Sequence, residues 1–290
     1  MPTHTLYVAE ALRAYQPFFN TAHPIVTQAG LRMSTLWQAQ NNPWCRDYMP
    51  VATARGVLVQ FRYWPDYLVR SPKYLHTIVE ASSITVQPDV PREHSDLIVD
   101  GGNVILGPDF AVLTRKVLRE NLNRTNRQIM DELSMRLGVS RIVVISDDAA
   151  DFTGHADGMV RVLGPGAVVM NNYRDIDPYL GRSVRRSLRE AGLTVEELPY
   201  APRAMGRAGS AVGCYINYLR HQGRIVVPQF GQPEDEAALR RMQELFPDHH
   251  TIALDAMPIA RDGGVFNCIT WAAVPEWAQP APGITEPSVK

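Results

Sequence analysis

The sequence contains few cysteines and no long apolar segment, and both absences exclude whole classes of protein. Its three cysteines, Cys45, Cys214 and Cys268, form no Cys-x-x-Cys pair, which argues against a zinc site or a redox dithiol. No uncharged apolar run approaches the roughly 18 residues of a membrane-spanning helix. The N-terminus shows no basic segment followed by an apolar core, so no signal peptide is expected. Free thiols are typical of a reducing compartment, and we therefore predict a cytoplasmic protein.

An excess of charge of either sign is also missing. The 290 residues include 29 basic and 30 acidic side chains, which gives a formal net charge of −1. A nucleic acid or an anionic membrane favours a basic surface, so neither is expected as a partner. Any charged ligand must therefore be recognised by local groups. A homo-oligomer is compatible with this composition.

Short strands and helices follow one another along the chain without a linker, which favours one α/β domain over residues 1–290. Hydrophobic periodicity predicts helices at 6–16, 126–137, 178–191 and 233–246. Strands are predicted at 31–37, 56–63, 97–99, 104–106, 111–114, 141–145, 159–163, 167–170, 195–198, 224–227 and 251–254. Pro17 and Pro24 are expected to end helical structure. The proline-rich tail, residues 276–290, is expected to fray.

The tripeptide Asp-Gly-Gly occurs twice, at 100–102 and at 262–264, each time near the start of a strand. His155 and Asp157 lie in a comparable loop between two glycines. This self-similarity is confined to a few residues. It indicates a repeated α/β unit with its functional loops gathered at one end, as in propeller-like architectures.

Cys268 follows a glycine-rich turn that contains Gly263 and Gly264, and it precedes an apolar run. Adjacent glycines allow backbone conformations that side chains forbid, and they let other groups approach closely. The thiol is therefore a candidate nucleophile at the floor of a pocket. A free thiol has a pKa of about 8.5 and needs a nearby cation or base to react at neutral pH. The alternative is a buried structural cysteine, the usual state of a lone one.

His155 and Asp157 are two residues apart, so in an extended segment both side chains would point to the same face. An imidazole beside a carboxylate suits acid and base catalysis near neutral pH. The alternative is a polar loop that forms hydrogen bonds with itself. Metal binding by this pair would need a third ligand, and the sequence offers no evident one.

Asp47 lies close to Trp44 and beside Arg46. A carboxylate grips a guanidinium through two parallel hydrogen bonds, and an aromatic face attracts the same cation. Trp44, Asp47 and Asp157 together would form a clamp for a planar cation. The alternative is a surface ion pair between Arg46 and Asp47.

Together these motifs resemble the agmatine deiminase and bacterial peptidylarginine deiminase family, within the guanidine-modifying pentein superfamily. The resemblance runs from about Leu31 to Thr270, and segments 226–231 and 245–247 contribute to it. Its four ordered motifs are Trp44-Cys45-Arg46-Asp47, Asp100-Gly101-Gly102-Asn103, Gly154-His155-Ala156-Asp157, and Gly263-Gly264 through Asn267-Cys268-Ile269-Thr270. The resemblance implies a single catalytic domain, a five-bladed pseudo-symmetric α/β propeller with its active site on the central axis.

The resemblance also implies a role for each motif residue. Cys268 would attack the guanidinium carbon, and His155 would protonate departing ammonia and then activate water against the thiouronium intermediate. Asp47 and Asp157 would hold the guanidinium nitrogens. The implied substrate-binding residues are Trp44, Asp100, Asn103 and Gly264. Of these, Asp100 would contact the remote end of the substrate or support the site. No metal or organic cofactor is expected.

Two departures from the family pattern concern the substrate pocket or its rim. The residue before the cysteine, often histidine in agmatine deiminases, is Asn267, and the tryptophan-rich N-terminal motif of the family is not visible. The substrate therefore stays open among agmatine, free arginine, peptidyl arginine and another guanidine, and amidino transfer stays open as a reaction. Two other classes compete: a non-catalytic guanidine-binding protein, and a thiol hydrolase of esters or amides, which would need an oxyanion hole. Ammonia release separates a deiminase from both.

Overall fold

The computed structural model describes residues 5–86, 90–203 and 209–279, and within them the chain forms fifteen strands and eight α-helices. The strands are β1 (Leu6–Ala9), β2 (Met33–Leu36), β3 (Val51–Ala52), β4 (Leu58–Arg62), β5 (Arg92–Ile98), β6 (Ile105–Leu106), β7 (Phe110–Thr114), β8 (Arg141–Ile145), β9 (Val160–Gly164), β10 (Ala167–Asn171), β11 (Thr194–Leu198), β12 (Leu219–His221), β13 (Arg224–Gln229), β14 (His250–Asp255) and β15 (Thr270–Trp271). The helices are α1 (Gln16–Gln28), α2 (Cys45–Tyr48), α3 (Asp66–Val69), α4 (Lys116–Glu120), α5 (Asn126–Leu137), α6 (Pro178–Glu190), α7 (Asp235–Leu245) and α8 (Met257–Ala260). Among these residues, no helix has the length and apolar character needed to cross a membrane.

The strands form five three-stranded sheets that share one plan. Their strand orders are β15–β1–β2, β3–β4–β5, β6–β7–β8, β9–β10–β11 and β12–β13–β14. The central strand of each sheet pairs antiparallel with one neighbour and parallel with the other. A parallel pair needs a crossover connection, and each of the five crossovers contains a helix. The pairing of β15 with β1 closes the ring. The predicted five-fold pseudo-symmetric α/β propeller is confirmed.

The crossover between β7 and β8 shows how local sequence builds one of these units. The Thr125 hydroxyl accepts a hydrogen bond from the Gln128 backbone at 3.2 Å, and the Gln128 side chain accepts one from the Thr125 backbone at 2.8 Å. This reciprocal cap fixes the start of α5. Ile129 and Leu133 face the core and are fully buried. Gly138 ends the helix in a left-handed conformation, with a φ of 70°. The predicted helix at 126–137 is confirmed.

The helix predicted at 6–16 was wrong. Residues Leu6–Ala9 form a buried strand, β1, and Glu10–Tyr15 form a 3-10 turn before α1 begins. Because β1 pairs with β2 on one side and β15 on the other, tertiary pairing outweighs the helical spacing of its apolar residues. The two prolines do not end helical structure either. Pro17 lies in the first turn of α1, where its backbone needs no helical donor, and Pro24 lies inside the helix.

The segment after Pro275 is docked as far as Gln279, where fraying was predicted. Glu276–Ala278 form a 3-10 turn, and the Glu276 carboxylate pairs with the buried guanidinium of Arg161. The side-chain oxygen of Gln279 accepts a hydrogen bond from the Gln222 backbone at 2.8 Å. These contacts tie this segment to the ring. The rest of the predicted tail, 280–290, lies outside the described residues.

Candidate active site

The five connections between neighbouring sheets bring polar residues to one place. In chain order, one from each connection, these residues are Asp47, Asp100, His155, Asn217 and Cys268. Four of them line one cavity of about 570 Å³, and Asp100 contacts His155 from behind. This volume lies within the range of small-molecule sites, roughly 300–1,000 Å³. The repeated fold thus builds one shared pocket from segments that are far apart in sequence.

Cys268 presents a protonated thiol to this cavity. Its Sγ lies 3.5 Å from Asp157 Oδ2, and its backbone nitrogen donates a hydrogen bond to Asn217 Oδ1 at 3.4 Å. Burial raises the pKa of the thiol well above its ordinary value, and the charges of Asp157 and Asp47 raise it further. A positive charge placed beside the thiol would lower this pKa.

Glycine at position 264 is required by the packing around the thiol. A Cβ at this position would lie 2.5 Å from the indole ring of Trp44 and 3.1 Å from the Cβ of Cys268. Gly263, directly before it, has a φ of 111°, a backbone conformation that side chains disfavour. A side chain at position 264 would therefore displace the Trp44 indole or the Cys268 side chain.

His155 is held between two carboxylates. Its Nε2 donates a hydrogen bond to Asp100 Oδ2 at 2.8 Å, and its Nδ1 lies 3.5 Å from Asp47 Oδ1. Burial alone would lower the pKa of the imidazole, but Asp47 and Asp100 outweigh it and raise the pKa to about 10. The ring is therefore an imidazolium at neutral pH. In this state it can donate a proton to a leaving group.

Asp47 and Asp157 face the cavity as two buried carboxylates. Burial raises the pKa of Asp47 to about 7, although the charge of His155 opposes this shift. Asp47 Oδ1 accepts no hydrogen bond within the part of the chain that is described. Asp157 Oδ2 accepts a hydrogen bond from Asn267 Nδ2 at 2.7 Å. Buried carboxylates are stable as anions only beside a cation, so the pair favours a cationic ligand.

A family model described as the Porphyromonas-type peptidyl-arginine deiminase matches residues 3–274 of this sequence. The chain belongs to this family. Two of its relatives are a putative agmatine deiminase of Shewanella baltica, 28% identical over 79% of this chain and 73% of the relative, and the agmatine deiminase of Pseudomonas syringae, 23% identical over 95% and 86%.

Solved structures of similar proteins have the same fold. The agmatine deiminase of Enterococcus faecalis superimposes with a TM-score of 0.71, at 18% identity, over 96% of this chain and 94% of its own. That of C. jejuni gives a TM-score of 0.73, at 15% identity, over 92% of each chain. The predicted pentein fold and deiminase family are therefore confirmed. As a member of this family, the chain is a guanidine-modifying deiminase, a hydrolase of carbon–nitrogen bonds in amidines.

Most of the residues predicted for the site line this cavity, and two do not. The lining includes Trp44, Asp47, His155, Asp157, Gly264 and Cys268. Asp100 lies behind His155, so of its two predicted roles the geometry favours support of the site. Asn103 lies deeper still, where its side-chain oxygen accepts hydrogen bonds from the backbone and hydroxyl of Thr114, at 3.0 and 2.9 Å.

His155 and Asp157 line the same cavity, as the spacing argument predicted, but the local geometry differs from the predicted one. The two residues were expected on one face of an extended segment. Instead, His155 directly precedes a 3-10 turn, Ala156–Gly158, that contains Asp157. Gly102 lies opposite this turn and leaves room for the imidazole, since a Cβ at Gly102 would lie 2.8 Å from His155 Nδ1. Gly154, directly before His155, has a φ of 65°, a conformation that favours glycine.

Three polar residues around the candidate site were not predicted from the sequence. Asn217 supports the backbone of Cys268, the Tyr67 ring stands edge-on to His155 at 5.9 Å, and Lys116 lies behind Asp100. A signal for Asn217 exists, since it is a polar residue within the apolar stretch 210–219. Among the described residues, no group of three or more His, Cys, Asp or Glu side chains is arranged to hold a metal ion.

Proposed function

We propose that this protein hydrolyses a small, agmatine-like guanidine to a ureido product and ammonia, through a covalent thiouronium intermediate on Cys268. The observation that carries this proposal is the meeting of Cys268, His155, Asp47 and Asp157 in one buried cavity. The names of the curated relatives, agmatine deiminases, support the choice of substrate. The three free thiols support a reducing compartment, the cytoplasm, as the site of action.

The charges in the cavity favour a guanidinium ligand. Three carboxylates, Asp47, Asp100 and Asp157, surround a single imidazolium, His155, so the site carries an excess of negative charge. A guanidinium compensates this excess, and its planar fork matches a carboxylate on each side. The indole of Trp44, packed against Gly264, offers an aromatic surface beside the same cation. In this binding mode the guanidinium carbon lies next to the thiol.

Substrate binding activates the nucleophile. In the empty cavity the thiol keeps its proton, because burial and the neighbouring carboxylates raise its pKa. The entering guanidinium offsets part of the negative charge around the thiol and lowers that pKa, so the proton leaves to solvent. The Cys268 thiolate then forms a bond to the guanidinium carbon and gives a neutral tetrahedral adduct. The reactive thiolate therefore forms only when a cationic substrate is bound.

His155 serves both halves of the reaction. As the carbon–nitrogen bond of the adduct breaks, the imidazolium donates its proton to the departing nitrogen, which leaves as ammonia and yields a thiouronium cation. The neutral imidazole then takes a proton from water while the oxygen bonds to the thiouronium carbon. When the carbon–sulfur bond breaks, the thiolate returns, and the product loses a proton to become a neutral ureido compound. The imidazolium is restored.

Ammonia and ureido-product formation from agmatine, arginine, an arginyl peptide and methylated arginines would test this proposal. Turnover of agmatine is expected, and Cys268→Ala should abolish it without changing the folded state, as judged by circular dichroism and Tm. Product formation that persists in Cys268→Ala would remove Cys268 as the nucleophile. Absence of ammonia and ureido product from every substrate would refute the hydrolysis.

A further inference from the structure

A buried lysine lies behind the deiminase site, outside the cavity lining. Lys116 begins α4, one residue after the end of β7, and only 2% of its side chain is exposed. Its ammonium lies 2.7 Å from Glu120 Oε1, 2.9 Å from Asp66 Oδ1 and 3.5 Å from Asp100 Oδ2. Burial would lower the pKa of this ammonium, but Asp100 and Glu120 outweigh it and raise the pKa, so the lysine stays charged.

Lys116 contacts two of the groups that surround the ring of His155, Asp100 and Tyr67. The Asp100 oxygen that accepts the hydrogen bond from His155 at 2.8 Å is the same oxygen that lies 3.5 Å from the lysine ammonium. The ammonium also lies 4.9 Å from the centre of the Tyr67 ring, and that ring stands edge-on to His155. The Lys116 ammonium therefore contacts both Asp100, which accepts the hydrogen bond from His155, and the Tyr67 ring, which packs against the imidazolium.

The same cation ties one wall of the cavity to the core. Asp66 begins α3, which carries Tyr67 and Leu68 into the cavity lining. Glu120 Oε1 accepts hydrogen bonds from both the Lys116 ammonium and the Asp66 backbone, the latter at 2.9 Å. Because a buried charge is stable only when it is fully paired, these contacts hold α3 and the Asp100 loop in one arrangement.

We propose that Lys116 is a positioning residue for His155, which it orients through Asp100 and Tyr67. The inference rests on the proposed function, in which His155 transfers protons in both half-reactions. Lys116 does not touch the substrate. Its role is to keep Asp100 in the rotamer that accepts from His155 Nε2, so that Nδ1 points towards Asp47 and the cavity.

Lys116→Met and Lys116→Arg test this role, with Arg115→Met as a matched control that removes the exposed cation of the preceding residue. Because a misplaced catalytic group slows chemistry more than binding, Lys116→Met should lower kcat for agmatine by about tenfold or more and change KM by less than about threefold. Lys116→Arg should recover part of kcat, and Arg115→Met should match the parent. A defect confined to KM would assign Lys116 to the pocket wall and overturn the proposal.

A spectroscopic readout tests the same role without turnover. The proton between His155 Nε2 and Asp100 should give a far-downfield NMR resonance, assigned by its loss in His155→Asn. This resonance should disappear or shift in Lys116→Met, return in Lys116→Arg and stay in place in Arg115→Met. An unchanged resonance in Lys116→Met would overturn the proposal. If the parent releases no ureido product, the proposed function fails, whereas the resonance still decides the role of Lys116.

A variant with fewer buried charges covers the case in which Lys116→Met does not fold. Lys116→Met combined with Glu120→Gln removes one cation and one anion, and the amide oxygen at 120 can still accept from the Asp66 backbone. This double variant should fold and show the same loss of kcat and the same change in the His155 resonance. Parental values of both would refute the positioning role.

Discussion

Binding of a guanidine to this site should depend on the ionisation of Asp47. Burial raises the pKa of Asp47 to about 7, even though the imidazolium of His155 opposes the shift. Only the ionised carboxylate can form a charge-assisted pair with a guanidinium. A raised pKa means that the proton must leave before the pair forms. Affinity should therefore be low below pH 7 and rise as the pH passes through that value.

The size of the effect follows from the pKa of Asp47. With a pKa of about 7, the ionised fraction in the free protein is roughly one tenth at about pH 6 and roughly nine tenths at about pH 8. The affinity should thus rise about tenfold over this interval, which corresponds to about 1.4 kcal/mol of binding free energy. His155, with a pKa of about 10, stays charged over the same range and contributes little.

Calorimetric titration of agmatine into Cys268→Ala would measure this dependence, since the variant lacks the thiol whose own proton loss would overlap. The released protons can be counted in buffers of different ionisation enthalpy. Asp47→Asn in the same background should bind about 2 kcal/mol more weakly at about pH 8 and show no rise with pH. A tenfold rise that persists in Asp47→Asn, or a flat profile when Asp47 is present, would refute the reasoning.

Two substitutions test other contacts of the cavity. Asp157→Asn should lower kcat/KM for agmatine, with a loss of about 2–4 kcal/mol in transition-state stabilisation, because it removes the charge of a carboxylate that contacts the thiol and would bind the substrate. Steady-state kinetics on a variant of parental Tm would check this. A decrease in kcat/KM of less than tenfold would contradict it. Gly264→Ala should lower kcat/KM about tenfold or more, because its Cβ displaces the Trp44 ring. Gly164→Ala, whose Cβ meets nothing within 4 Å, is the matched control, and equal activity of the two alanine variants would count against the close packing at Gly264.

Local sequence signals were sufficient to predict elements whose two ends are marked by capping residues. The helix α5 has a capping pair at one end and Gly138 at the other, and its predicted span agrees with the structure. The strand β1 has no such signals. Its extended form depends on pairing with β15, more than 250 positions further along the chain, as well as with β2. A pattern confined to residues 6–16 cannot report that contact, which is why a helix was predicted there.

In the site, likewise, the residues within recognisable motifs were predicted from the sequence and the supporting residues outside them were not. Cys268, His155, Asp47 and Asp157 were predicted because glycine or tryptophan neighbours and the family resemblance mark them. Lys116 was not, because a charged residue at the start of a helix is ordinarily exposed, and only the tertiary fold reveals the three carboxylates around it. The sequence marks residues that face a substrate more clearly than those that hold them in place.

Closure of the ring fixes the position of Cys268, the proposed nucleophile, relative to Asp47, a carboxylate proposed to bind the substrate. Cys268 lies two residues before β15, whose Thr270 and Trp271 pair with β1. The Trp271 indole donates a hydrogen bond to the Pro50 carbonyl at 2.7 Å, and the Arg46 backbone donates one to the Cys268 carbonyl at 3.1 Å. The thiol loop is thus bonded both to the first strand and to the connection that carries Asp47. Because thiol and carboxylate come from opposite ends of the sequence, only the closed ring holds them around one substrate.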